Sequence, residues 1–367
     1  MSGRQRRGSK PVGLDRFIRS ARGNHTRVLT AMSRGGGHHT GGVAEIRLGF
    51  WNLSNLFEAG SKERGPQSVA ELDAKLDRIA ACARSWFAGQ GPDLFAFCEV
   101  QNDRLARDLV RRVFGRDESV LFEPGGSPPS ADFGIGIGFD AQRTTVSRLW
   151  ADRTGRGRPR TVLAEVTRNQ QRLRLAVCHW PSRMQGPKGA LQREIAAREL
   201  SPRILDAEQK GIGTVVVGDM NAEPQEQVFV QADFAVNSTH RDALKRKATL
   251  YGASWRLGAE AGYAEDRGPA YRASRATGSF LEGRGSVAIE KSVGGRPIQF
   301  DHVIVSRSLI DGVGPRLKER SLEYAASHPF AALDGLGEWV PVPWQFDGNV
   351  GVGASDHLPI LVEILIP

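Results

Sequence analysis

From residue 44 onward, short apolar runs bounded by turn residues alternate with longer amphipathic stretches. Ala44 to Leu53 alternates apolar and polar positions and predicts a first strand with Asn52 at its end. Residues 68 to 88 put Leu72, Leu76, Ile79, Ala80, Ala83 and Phe87 on one face, the stripe of a helix that covers a sheet. Pro92 introduces DLFAFCEV, a strand that is apolar until it ends at Glu99. Asn102 to Val113 predicts a second helix, and Ser119 to Phe122 a strand running into Glu123-Pro124. Residues 133 to 139, FGIGIGF, read as a Gly-rich strand; no helix follows, so the glycines are not a nucleotide fingerprint. Val162 to Val166 and Leu173 to Cys178 form a predicted hairpin pair whose second strand runs into His179. Leu191 to Asp206 is helical, and Thr214 to Val217 a buried strand that Gly218 ends, leaving Asp219 and Asn221 in the exit loop. Gln299 to Ser306 and Leu358 to Leu365 are the last two strands, while 257 to 297, rich in Gly and charge, is a long connection without regular structure.

At 367 residues the chain has the length of two domains, but the patterned elements run from end to end and favour a single domain over 44–367. Cys82, Cys98 and Cys178 are an odd and scattered set without CxxC spacing, which argues for a reducing, cytoplasmic compartment and against a disulfide framework or structural zinc. No apolar run reaches membrane-spanning length. The net charge of +9 changes meaning once it is located. Residues 1–43 hold nine Lys/Arg and one acid, whereas the remainder holds 41 basic and 40 acidic residues. This Gly-, Arg- and Ser-rich leader predicts a disordered tail. Leu14, Phe17, Ile18 and Ala21 nevertheless have helical spacing between arginines, so an organelle transit segment, a nucleic-acid or nucleoid-associating arm, a membrane-surface helix, and a plain unstructured leader, including an upstream mis-start with initiation at Met32, all stay open.

The candidate chemistry sits where strands end. In TVVVGDMNAEP, residues 214 to 224, the Asp219 carboxylate can take a proton from water while the Asn221 carboxamide holds a phosphate oxygen; a capped turn is the plainer alternative. Glu99 closes an otherwise apolar run, where an unpartnered carboxylate is costly. His179 can serve as general acid or hydrogen-bond a phosphate oxygen, and Arg183 can fork onto the same group. Residues 240 to 256 interleave Arg241, Lys245, Arg246, Lys247 and Arg256 with Tyr251 and Trp255, a composition that tracks a phosphate backbone and stacks on bases or forms a solvated face. The basic loop Arg153 to Arg160 widens that footprint. His302 points away from its neighbour Asp301 if the strand alternates, and is left out of the site.

The strings LGFWNLSNLF (48 to 57), DLFAFCEVQN (93 to 102), VCHWPSR (177 to 183), TVVVGDMNAEP (214 to 224), FDHVIVS (300 to 306) and ASDHLPILVEI (354 to 364) stand in an order and spacing that resemble the endonuclease/exonuclease/phosphatase (DNase I-like) superfamily from about Glu45 to Ile366. Asn55, Leu56 and Phe57 extend the match to a bacterial subgroup reading NxxNLF. The resemblance implies an α/β fold, a four-layer sandwich of two mixed β-sheets packed face to face with helices on both outer sides. It implies Mg²⁺ or Mn²⁺ at Glu99, with Asn52 and Asp356 nearby, and an Asp301 carboxylate behind a catalytic His357. It also matches Glu123 to an acid that orients His179 in pancreatic-type deoxyribonucleases, and Asn55 to the substrate side. The expectation is a metal-dependent phosphoesterase, favoured as a nuclease on DNA or RNA with Arg183, Arg241, Lys245 and Trp255 on the substrate. A phosphatase or phosphodiesterase of small or lipid phosphoesters, and a non-catalytic nucleic-acid-binding protein on this fold, are the alternatives.

Overall fold

The computed structural model describes residues 44–115, 119–125, 133–152, 160–224, 226–230, 234, 250–254, 300–325, 331–333, 339–341, 345–347 and 350–367. Strand β1 (Ala44–Leu56) leads through helix α1 (Val69–Gly89) to β2 (Leu94–Val100), and α2 (Asp103–Phe114) follows. Next come β3 (Val120–Glu123), β4 (Gly134–Phe139), β5 (Thr145–Asp152), β6 (Thr161–Arg168) and β7 (Gln171–His179). Helix α3 (Gly186–Gln209) connects to β8 (Gly213–Asp219), followed by β9 (Leu250–Gly252) and β10 (Asp301–Ser306). Short strands β11 (Arg316–Leu317) and β12 (Glu323–Tyr324) and the two hairpins β13–β14 (Ala331–Leu333, Trp339–Pro341) and β15–β16 (Gln345–Asp347, Val350–Val352) precede β17 (Ile360–Ile366).

Two mixed sheets result. The first runs β11-β17-β1-β2-β4-β3, with β12 also on β17; the second runs β5-β6-β7-β8-β10-β9. Each has one parallel pair at its centre, β1 with β2 and β7 with β8, and each pair is joined by a helix, α1 or α3. A parallel pair needs such a crossover, and the crossover must lie on one face of its sheet. Side-chain alternation then sorts the layers. On β8, Val215 and Val217 face the other sheet, in a core shared with Phe50, Cys98, Val177 and Val303, while Val216 faces α3 with Ala196, Leu200 and Ile204. Leu76, Ile79 and Leu109 of α1 and α2 cover Phe95 and Phe97 on the first sheet's outer side. The order of layers is therefore helix, sheet, sheet, helix, the four-layer α/β sandwich expected from the sequence.

The helix ends follow local chemistry. The Ser68 side chain caps α1 by accepting the Glu71 N–H (3.1 Å), and Asn102 caps α2 by accepting the Leu105 N–H (2.9 Å). At the end of α1 the pattern of the sequence misleads: Trp86, Phe87 and Ala88 leave helical geometry, so Trp86 rather than Phe87 is the buried residue. Trp86 fits because residue 49 is glycine; a Cβ there would lie 2.3 Å from the indole. Gly218 does not end its strand either. It continues β8 to Asp219, and glycine is required because a Cβ would meet the Cys178 carbonyl oxygen at 2.1 Å.

At the rim opposite the strand ends discussed below, Asp93 is 1% exposed and ties the sheets together. Its carboxylate accepts from the Arg47 backbone N–H (2.9 Å) and guanidinium (3.0 Å) on the first sheet and from Arg143 (2.9 Å) in the turn between β4 and β5, and pairs with Arg168 of the second sheet at 3.2 Å. Burial raises this carboxyl, but the Arg47 hydrogen bonds and charge outweigh it and hold it below its ordinary value of 3.8. Asp93→Asn is expected to lose about 3–5 kcal/mol at neutral pH in denaturant unfolding, because buried guanidinium groups lose their counter-charge. A depressed carboxyl contributes stability above its unfolded value, which disappears as pH falls through the folded one. The gap between parent and variant therefore narrows below pH 3.8, and a gap constant down to pH 2 would contradict this account.

Candidate active site at the seam of the two sheets

The carboxyl ends of both parallel pairs open on one rim, the position where polar groups can point at a ligand without breaking the sheet. On the second sheet, His179, Asp219 and Asp301 lie side by side in one row, paired across β7, β8 and β10. On the first sheet, Asn52 lies in the last third of β1 and Glu99 next to the end of β2, and the segment before β17 brings Asp356 and His357. Asn52 is not at the end of its strand, as expected, but in front of a bulge across which β1 resumes its pairing at Leu56. A matching irregularity in β2 falls at Glu99. Bulges turn a side chain out of strict alternation. Four non-glycine residues here have left-handed backbones: Ser54 (φ 46°), Asn55 (φ 60°), Glu99 (φ 62°) and Asn221 (φ 49°). Such conformations cost about 1–3 kcal/mol each and persist where their surroundings enforce them.

Side-chain contacts among the candidate residues join the sheets across the seam. The Asn52 Nδ2 donates to Asp219 Oδ2 (3.0 Å) as well as to Glu99 Oε1 (3.1 Å). His357 Nδ1 bonds Asp301 Oδ2 at 2.8 Å. His179 Nε2 lies 3.5 Å from Glu99 Oε1. The remaining valences are ordered from the main chain. The Asn221 N–H donates to Asp219 Oδ1 (2.9 Å), the Asn221 Nδ2 donates to the Trp180 carbonyl (3.0 Å), and the Asn55 N–H donates to Glu99 Oε2 (2.9 Å). Both Asp219 oxygens are thus held, and with Nδ1 of His357 engaged by Asp301, its Nε2 faces Asp219 Oδ2 at 3.9 Å and Asp356 Oδ1 at 4.0 Å.

Charge states follow from this packing. Burial raises Glu99, but the hydrogen bond and charge of His179, the charge of His357 and the Asn52 amide overcome it and bring the carboxyl down to about 2. Burial lowers His357, and the charge and hydrogen bond of Asp301, helped by Asp356 and Asp219, reverse the sign and raise it. Burial also raises Asp356, and raises Asp301 to about 7 against the charge and hydrogen bond of His357, so the rim gathers four carboxyl groups, Glu99, Asp219, Asp301 and Asp356, around two imidazoles.

An oxygen-rich set of this kind fits a hard divalent cation rather than zinc in a thiolate site. Glu99, Asn52 and Asp356 are one candidate set of holders. Asp219, Asp301 and His357, all buried, offer ligand atoms within 4.8 Å of one another and are a second set that the sequence reading had assigned to proton chemistry. Asp301 Oδ1 is buried without a hydrogen-bond partner, which leaves an acceptor for a cation or a proton.

The other residues singled out in the sequence divide. Glu123 is fully buried and ion-paired with Arg148, and a second carboxylate, Glu99, lies 3.5 Å from His179. Arg183 stands over the Phe300 ring, 5.5 Å from its centroid, but is occupied by Glu223 (2.7 Å) and Glu226 (3.5 Å), because the loop after Asn221 supplies two acids that the fork onto phosphate did not consider. Asn55 contributes its backbone amide to Glu99. Arg241, Lys245, Trp255, Arg153 and the leader 1–43 lie outside the described residues. His302 is buried on the other face, with Nδ1 at 3.1 Å from Ser254 Oγ and Nε2 at 2.8 Å from the Ala222 carbonyl oxygen. Two supports were missed: Trp51 Nε1, which donates to the His357 carbonyl (2.8 Å), and Ser355 Oγ, which donates to the Asn52 carbonyl (2.6 Å) and accepts the His357 N–H (3.1 Å). The serine was visible within the SDH string; the tryptophan, 306 residues from its acceptor, carried no sequence signal.

No curated protein matches the sequence. Solved structures share the fold. An endonuclease/exonuclease/phosphatase family protein from Bacteroides thetaiotaomicron is 13% identical with a TM-score of 0.53, covering 89% of this chain and 99% of its own. A mannosyl-6-phosphatase from the same organism is 14% identical with a TM-score of 0.52, covering 87% and 99%. A humanized D. rerio TDP2 is 16% identical with a TM-score of 0.50, covering 87% and 98%. The model of the Endonuclease/Exonuclease/phosphatase family matches residues 50–264, more than half of the sequence and including Asn52, Glu99, His179, Asp219 and Asn221, and the chain belongs to that family.

Proposed function

We propose that the chain is a divalent-metal-dependent phosphodiesterase that hydrolyses nucleic acid. The observation that carries the reading is the convergence of Glu99, His179, Asp219, Asn221 and the Asp301–His357 pair across the seam. Mg²⁺ or Mn²⁺, held from the side of Glu99, Asn52 and Asp356, would supply Lewis-acid stabilisation of the phosphoryl oxygens. Asp219, with both oxygens fixed by Asn52 and Asn221, positions and deprotonates the attacking water. Asp301 fixes the His357 ring so that Nε2 faces the reacting centre, where the imidazolium state favoured by the surrounding acids stabilises developing negative charge. His179, whose Nε2 faces Glu99, is the candidate donor to the leaving oxygen, and the second hydrogen of the Asn221 amide is available to a phosphoryl oxygen.

The preference for nucleic acid rests on the basic leader and the 240–256 cluster, both sequence features. A second reading, a phosphatase of small phosphoesters, is favoured by the near-neutral charge of residues 44–367 and by the acids that occupy Arg183. The test is a substrate panel with Mg²⁺ or Mn²⁺: nicking of supercoiled plasmid and cleavage of single-stranded RNA against phosphate release from sugar phosphates and inositol lipids, with and without residues 1–43. Metal-dependent nicking that weakens with salt is expected, and removal of the leader should make it both weaker and less sensitive to salt. Phosphate release alone would transfer the assignment to the second reading, and inactivity on every substrate would leave a non-catalytic binding protein.

A further inference from the structure

The apolar face of α1 contains one charged residue. Lys75 is 1% exposed, among Leu72, Leu76 and Ile79, and is the only buried lysine among the described residues. Its Nζ donates to the Ser54 carbonyl at 2.6 Å. A methionine would fill this volume without taking an ammonium out of water, so the charge needs a counterpart in the structure. One such counterpart is the bulge of β1. Ser54 and Asn55 both have left-handed backbones, and their two amides face the rim: the Ser54 N–H donates to Asn52 Oδ1 (3.0 Å) and the Asn55 N–H to Glu99 Oε2 (2.9 Å). The carbonyl held by Lys75 and the two amides that orient Asn52 and Glu99 belong to the same turn. Burial lowers Lys75 to about 8, and the charges of Asp356, Glu99 and Glu71 act against that, which agrees with a cation lying behind the acids of the rim.

We propose that Lys75 is a positioning residue of the metal site: by holding the Ser54 carbonyl from beneath, it locks the 54–55 turn whose amides aim Asn52 and Glu99. The inference rests on the divalent-metal reading above. Without Lys75 the Ser54 carbonyl loses its partner, the left-handed turn relaxes, and a cation must order Glu99 and Asn52 as it binds. Groups that orient metal ligands typically govern affinity by about 10–100-fold.

The test measures Mn²⁺ binding to the full chain by calorimetry without substrate, parent against Lys75→Met, with circular dichroism to confirm folding. Binding about 10–100-fold weaker in the variant is expected, together with activity recovered at raised Mn²⁺. A folded variant that binds Mn²⁺ as tightly as the parent, or more tightly, overturns the proposal. Should the variant fail to fold, the ε-¹⁵N lysine spectrum of the parent decides. One ammonium signal protected from solvent should move on titration with Mg²⁺, and a protected signal indifferent to Mg²⁺ overturns the proposal. A parent that binds neither ion overturns the metal reading itself, a result distinct from equal binding by parent and variant.

Discussion

Asp219→Ala lowers phosphoester hydrolysis by about 10³-fold or more while the protein stays folded, because the substitution removes the group that handles the attacking water and no neighbour can replace it. Asp219 accepts from Asn52 and Asn221, so its loss also leaves two donors without their acceptor in a buried place. That costs about 1–3 kcal/mol of stability, which a thermal melt separates from the catalytic effect. Asp219→Asn keeps the volume and should be as inactive, since a carboxamide cannot take the proton. Turnover within tenfold of the parent in either variant, on whichever substrate the parent accepts, would remove the proposed mechanism.

His357→Ala is expected to bring activity to a similar near-background level, and Asp301→Asn to a smaller loss, because in the proposed mechanism Asp301 acts by orienting His357. The pair also has a signature independent of turnover. Asp301 raises His357 in the folded state above its ordinary value of 6.5. A raised imidazole contributes stability that is complete below the unfolded value and is lost as pH climbs through the folded one. In chelator-treated protein, the stability conferred by the raised imidazole therefore declines as pH rises beyond 6.5, and Asp301→Asn makes that decline smaller. A difference between parent and Asp301→Asn that does not vary between pH 6 and pH 10 would show that the carboxylate does not hold a proton on the imidazole.

Much of the site was legible because each polar group closes an apolar strand, and such a pattern survives in one dimension. Glu99, His179 and Asp219 could be read this way, whereas Asp301, which opens its strand, came from the family resemblance; register then aligned His179, Asp219 and Asp301 in one row. What could not be read depends on contacts made after the chain has folded. Gly218 was taken for a terminator, but its role is clearance for the Cys178 carbonyl on a neighbouring strand. The left-handed backbones of Ser54, Asn55 and Glu99 are consequences of two bulges that face each other, a fact of pairing and not of propensity. Lys75 carried no signal either, since a burial partner 21 positions away has no period to announce it. Arg183 carries the same lesson in reverse: a cation near the right motif is taken up by acids that arrive later in the sequence.

The division of the rim between the sheets has a further consequence. Asn52, Glu99, Asp356 and His357 come from one β-layer, and His179, Asp219, Asn221 and Asp301 from the other. Neither layer owns a complete set, so a chain whose layers have slid or parted by a few ångströms has no residual turnover to show, however much secondary structure it keeps. Catalysis here should vanish ahead of the circular dichroism signal on heating, which makes turnover a gauge of how well the halves are seated.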